Sequence, residues 1–151
     1  MTTKLISLRW NNELYQADLA IDGDGLLDSA SGFETAVNIS LFTWARDDAA
    51  DVALTGQRYG WWGDSFSEDQ GDRIGSLLWT MRRERNSTEN RQRVVRICED
   101  ALAWMLVDGI ASAIEVEVER WALQVIAVKI SITRSQGGQW TGIWEAHLNA
   151  L

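Results

Sequence analysis

Residues 94–119 read VVRICEDALAWMLVDGIASAIEVEVE, and the spacing of their apolar positions changes halfway along. Up to Leu106 the spacing is helical. Val94, Cys98, Ala101, Leu102, Met105 and Leu106 fall on one stripe, because a turn of about 3.6 residues brings positions three and four apart to one side. Gly109 stands where a helix end calls for positive φ, so a helix is predicted over 88–108. From Ile110 the period is two. Ile114, Val116 and Val118 alternate with Glu115, Glu117 and Glu119, the pattern of a strand with one face on a core and an acidic face in water.

The flanks read the same way. Residues 123–133 form a second β run, apolar on both parities over 125–128, which predicts an interior strand or one covered on both faces. Gln136-Gly137-Gly138-Gln139 turns the chain into a last strand in which Trp140, Trp144, Ala146 and Leu148 share a parity. Upstream, residues 4–10 place Ile6, Leu8 and Trp10 on one face. After Asn11-Asn12, residues 13–21 do the same with Tyr15, Ala17, Leu19 and Ile21, giving a β-hairpin. Ser31-Gly32-Phe33-Glu34 has capping-box spacing ahead of Phe33, Val37, Leu41 and Trp44, so a short helix runs to about Thr43. Ser67 and Gln70 repeat that spacing ahead of Ile74, Leu77, Leu78 and Met81, which predicts a further helix through about Arg85, broken by Asn86-Ser87-Thr88. The expected class is α+β: an N-terminal β-hairpin, two to three helices, and C-terminal antiparallel strands packed on the helices, in one domain over 1–151.

Composition narrows the function. The chain has 151 residues, 46% apolar and 24% charged, which suits a folded domain rather than a disordered one. A net charge of −8 argues against coating nucleic acid and against adsorption to an anionic membrane. The longest apolar runs, such as 122–128, are too short to cross a bilayer, and Met1-Thr2-Thr3-Lys4 does not open a signal-peptide core, so the chain is expected to stay in the cytoplasm of its host. Cys98 is the one cysteine and lies on the helical stripe, a buried structural thiol rather than a reactive one. His147 is the one histidine, and with no Gly-x-Ser-x-Gly pattern it does not make a catalytic triad. Asp22-Gly23-Asp24-Gly25 reads as a turn. An EF-hand starting at Asp22 needs Gly at 27 and Glu at 33, where Leu27 and Phe33 stand. Neither a cofactor nor a metal is implied.

Two features point to binding. In Tyr59-Gly60-Trp61-Trp62-Gly63-Asp64 the adjacent tryptophans cannot share one face, so one is expected to plug the core while the other meets a groove or a partner. Charge is also uneven: residues 1–72 carry 13 acidic and 4 basic side chains, whereas residues 73–100 carry 4 and 7. Arg82, Arg83, Arg85, Arg91, Arg93 and Arg96 crowd the corner between two expected helices. Their planar forks suit an acidic protein surface or the chain's own acidic loops, with a solvated face paired locally to Glu84 and Glu89 as the plain reading. Nucleic acid ranks last, because no RNP-type aromatic motif, zinc finger or helix-turn-helix accompanies them.

Three segments together resemble the Mu-like phage tail proteins of the baseplate wedge. They are Gly32-Phe33-Glu34-Thr35-Ala36-Val37 with Ile39-Ser40-Leu41-Phe42-Thr43; Gly60-Trp61-Trp62-Gly63-Asp64 followed by Gly75-Ser76 and Leu78-Trp79; and Ala101-Leu102 and Trp104 leading to Asp108-Gly109. The likeness covers about residues 1–135. Trp44 departs from it, standing where the family is expected to carry an acidic residue. The family is similar in turn to the small wedge protein of T-even phages. The resemblance implies a structural role in the virion's tail baseplate, assembled in the bacterial cytoplasm. Implied partners are larger wedge proteins and tail sheath or tube proteins, with a β edge that the first sheath ring extends by strand addition and six copies around the tail axis. It implies no enzyme, nucleic acid or membrane. Trp61, Trp62, Asp64, Arg82, Arg83 and Arg85 are the expected docking residues. The competing classes are a murein hydrolase, which needs two carboxyls at a set separation with one pKa raised, and a carbohydrate-binding tail module stacking sugars on Trp61, Trp62, Trp140 and Trp144. With 22 acidic residues, carboxylate pairs are too abundant to argue for the first.

Overall fold

Ser87 starts the helix that organises the core. Its side chain accepts the Asn90 backbone N–H at 3.2 Å, satisfying one of the donors that a first turn leaves free. In the computed structural model, which describes residues 6–21, 23–25, 32–48, 59–66, 73–82, 84–120 and 125–147, this helix is α2 (Thr88–Leu102). A further turn, α3 (Trp104–Val107), follows it. Gly109 at φ +69 then closes the end: its N–H bonds to the Leu106 carbonyl and that of Ile110 to the Met105 carbonyl, the paired bonds of a Schellman motif. The expected 88–108 span is therefore right in extent but broken at Ala103, and Leu106 faces out rather than in.

Ahead of it lie β1 (Leu8–Asn11), β2 (Gln16–Leu19) and α1 (Gly32–Phe42); behind it β3 (Ala111–Arg120), β4 (Val125–Arg134) and β5 (Gln139–His147). The last three form an antiparallel sheet in the order β3-β4-β5, with β4 central as its apolar run predicts. Ile126, Val128, Ile130 and Ile132 of β4 face the helices, while Lys129 faces water and pairs with Glu117 at 2.8 Å. The Glu117 carboxylate holds the Lys129 ammonium above its usual pKa. The core unites Val37 and Leu41 of α1, Val94, Cys98 and Leu102 of α2, and the inner face of the sheet.

The helix expected through Arg85 is not there. Ser67 and Gln70 lie outside the described residues, and only a 3-10 turn, Leu78–Met81, forms from the second stripe. Gly75 is the reason. It sits at φ +103, and a Cβ there would lie 2.3 Å from the Thr43 carbonyl oxygen. Ser76 then spends its backbone on the chain leaving α1, donating to the Thr43 carbonyl and accepting from Ala45, so the turn cannot propagate backward as helix. Leu78 and Met81 are nevertheless buried, as the stripe requires.

Two results follow from packing. Cys98 is fully buried, and burial first, then Glu99, pushes its thiol up to about 12. Iodoacetamide at pH 8 should leave the folded protein unmodified and label it once unfolded. The folded state holds this proton after the unfolded chain has lost it near pH 8.5. Its share of stability is therefore complete below that pH and falls between about pH 9 and 12, by up to about 1.4 kcal/mol per pH unit, a slope absent from Cys98→Ala. Gly142 is the second case. A Cβ on it would meet the Trp144 ring at 2.4 Å and the Trp140 ring at 2.6 Å, so the two indoles cover the β5 backbone where a side chain would stand. Gly142→Ala should cost about 1–3 kcal/mol in a thermal melt, and an unchanged melt would show that the rings yield freely.

Candidate docking surface

The segment after α1 is built as a platform. The Trp79 indole N–H donates to the Ala45 carbonyl at 2.8 Å, locking the 3-10 turn to the α1 exit already bridged by Ser76. Beside it Asp48 pairs with Arg73 and with Arg46, and the Arg73 hydrogen bond in particular holds its carboxyl below the ordinary value.

On this platform lies a strip of exposed rings. Tyr59, at φ +46, wedges its ring edgewise between Trp44 and Trp79, 4.7 Å from each centroid. Gly60 follows at φ +115 with its Cα over Arg46, where a Cβ would come within 2.9 Å of the Arg46 Cβ. The chain then enters a 3-10 turn, Trp62–Phe66, and the Trp61 ring lies against Gly63. Trp61 contacts Trp62 at 5.8 Å and Trp62 contacts Phe66 at 5.9 Å. Trp44, Tyr59 and Trp61 are 37%, 40% and 41% exposed, Trp62 73% and Phe66 77%.

The expected split of the Trp61–Trp62 pair is thus corrected: neither ring plugs the core. Gly63 gives Trp61 a backbone seat at the surface, and the short turn carries Trp62 further out. Asp64 faces inward. Its Oδ1 accepts the Ile74 N–H at 3.1 Å, tying the loop to the platform, and its Oδ2 is buried with no hydrogen-bond partner among the described residues. Asp64 therefore orients the tryptophans and is not itself laid open. Phe66, Tyr59 and Trp44 join the strip although the motif that marked it was only Trp61-Trp62. Glycine at 60 and 63 was the available signal, since both permit backbone or ring approach that a Cβ would block.

Arg82 meets the strip from the other side, its guanidinium carbon 5.1 Å over the Trp44 ring. Arg85 is exposed nearby, and Arg83 lies outside the described residues. Local pairing with Glu84 and Glu89 is not what holds this corner. Glu84 accepts from the Asn90 amide, and Glu89 is held below the usual carboxylate range first by its own backbone N–H and then by Ser87. Arg91 donates to Asn86 and Thr88, and Arg93 to Thr80. Among the described residues, none of Arg82, Arg85, Arg91, Arg93 and Arg96 forms an ion pair with a carboxylate. Nor do three His, Cys, Asp or Glu side chains converge as a metal site there, and no described helix is long and apolar enough to cross a membrane.

The described residues thus form an α+β fold with a strip of exposed rings and, beside it, Arg82 without an ion pair among the described residues. The family model described as phage protein GP46 matches residues 33–139, which include the strip, the platform, α2 and most of the sheet, and the chain belongs to that family. It is similar to the baseplate protein gp46 of Escherichia phage Mu, 34% identical over 134 residues that cover 87% of this chain and 88% of that one. It is also similar to the Mu-like prophage FluMu protein gp46 of Haemophilus influenzae, 31% identical over 132 residues with the same coverage.

Proposed function

We propose that this protein is a structural component of a phage tail baseplate, and that it docks other baseplate proteins through the strip around Trp61 and Trp62 and the adjoining arginines. The observation that carries the reading is the strip itself. Exposed aromatic rings gathered in one segment are costly on a monomer and mark a contact site, and tryptophan and arginine are enriched among residues that dominate interfaces. Asp64 orients the loop, while Arg82 and Arg85, with Arg83 beside them in sequence, select an acidic partner and its register. The relative in phage Mu is named a baseplate protein, which is the support for placing this one there.

The finer part of the proposal is that the sheet receives a strand during assembly of a contractile tail, as a wedge protein that starts the sheath would. The two edges of the sheet differ. At β5 the Glu145 N–H donates to Asn12 Oδ1 at 2.8 Å and its carbonyl accepts from the Trp10 indole at 3.1 Å, so the hairpin already caps that edge. β3 has no strand partner on its outer side among the described residues, which makes it the edge for addition.

Co-expression with the tail proteins encoded beside it, followed by size-exclusion chromatography with light scattering, tests the reading. A stoichiometric complex is expected. A lone monomer in every combination contradicts it and turns attention to sugar binding by the same rings.

A further inference from the structure

Arg82 is held by a ring rather than by a carboxylate. Its guanidinium lies over Trp44, and it forms no ion pair among the described residues. A guanidinium held over a ring rather than by a carboxylate retains N–H donors, and these fit a carboxylate in bidentate fashion. Trp44 also contacts Tyr59, whose ring rests on Trp79 and whose backbone leads through Gly60 into Trp61 and Trp62. One indole thus touches both the cation and the apolar strip.

Resting on the docking role proposed above, we infer that Trp44 is a positioning residue that sets Arg82 at the margin of the strip. The surface then takes a segment of another protein in which an Asp or Glu side chain sits beside a large apolar one. The apolar side chain covers exposed rings of the strip, beginning at Trp44 and Tyr59, and the carboxylate meets the Arg82 fork. Charge complementarity selects this occupant. The rings alone accept any apolar group, whereas a guanidinium beside them with no ion pair among the described residues favours an anion at one place and disfavours a cation there.

The test uses the full chain and the neighbouring tail protein with which it co-purifies, titrated by calorimetry. Arg82→Gln should weaken the complex by about tenfold to a hundredfold in low salt and by less in about 0.5 M NaCl. Trp44→Ala should show the same loss with the same salt dependence although Arg82 is intact, and Trp44→Phe should restore most of it. In the Arg82→Lys complex a carbodiimide should join the introduced amine to an Asp or Glu of the partner. Normal binding by Trp44→Ala while Trp62→Ala fails to bind overturns the inference and leaves the docking role standing. A salt-independent loss in Trp44→Ala also overturns it, since it marks an indole that acts by packing or by direct contact and not through Arg82. Normal binding by both variants overturns the docking role itself. Self-association of the wild type that Arg82→Gln abolishes assigns the surface to a second copy and overturns the choice of partner.

Discussion

Asn38→Leu is expected to destabilise the fold by about 3–5 kcal/mol, because it leaves buried polar groups on two other elements without partners. Asn38 is 2% exposed and Trp144 3%. The Trp144 indole N–H donates to Asn38 Oδ1 at 2.8 Å, and Asn38 Nδ2 donates to the Leu8 carbonyl at 2.9 Å. One amide therefore joins α1, the edge of the hairpin and the inner face of β5. Thr35, one turn earlier, takes the Leu8 N–H at 3.0 Å, so α1 side chains stand in for a strand along β1. Leucine has the branched outline of asparagine but is bulkier and carries neither bonding group. At roughly 2–4 °C per kcal/mol for a domain of this size, the melting temperature should fall by about 6–20 °C. Adding Trp144→Phe should recover part of the loss, since it removes the stranded donor. A fall of less than about 2 °C, or strict additivity of the two changes, would show that the amide is not a junction.

Trp62→Ala is expected to do the opposite: leave the melt within about 2 °C of wild type and weaken the complex with a neighbouring tail protein by a hundredfold or more. The ring is 73% exposed, and the rings it contacts are Trp61 and Phe66, themselves exposed, so its removal opens no cavity in the core. At the centre of an interface the same ring supplies buried area at little entropic cost. A lowered melt with binding intact would make Trp62 a folding residue and move the docking surface elsewhere.

Periodicity carried most of the architecture. The switch at Gly109, the central position of β4 and the burial of Cys98 all follow from spacing that elementary helix and strand geometry imposes. Where the reading failed, tertiary contacts had overridden local preference. Ile74, Leu77, Leu78 and Met81 have helical spacing, but the close approach of Gly75 to Thr43 is invisible in a linear sequence. Asn38 is inconspicuous in the sequence because a polar residue beside Val37 reads as the margin of an apolar stripe, and its partners lie thirty and more positions away. The strip of exposed rings was legible only at Trp61-Trp62. Tyr59, Trp44 and Phe66 join it through a fold that brings the α1 exit and the 3-10 turn together. The hairpin forms as expected but with shorter strands, Leu8–Asn11 and Gln16–Leu19, and Ile6, Leu19 and Ile21 are exposed while Ser7 and Ala20 are buried.

The most direct measurement is a cryo-electron microscopy reconstruction of tail particles assembled with this protein. The account predicts the α+β domain within the baseplate, with Trp62, Phe66 and Arg82 covered by a different protein that offers a carboxylate to Arg82. Particles that lack the chain, or a baseplate in which the strip faces solvent, would contradict it.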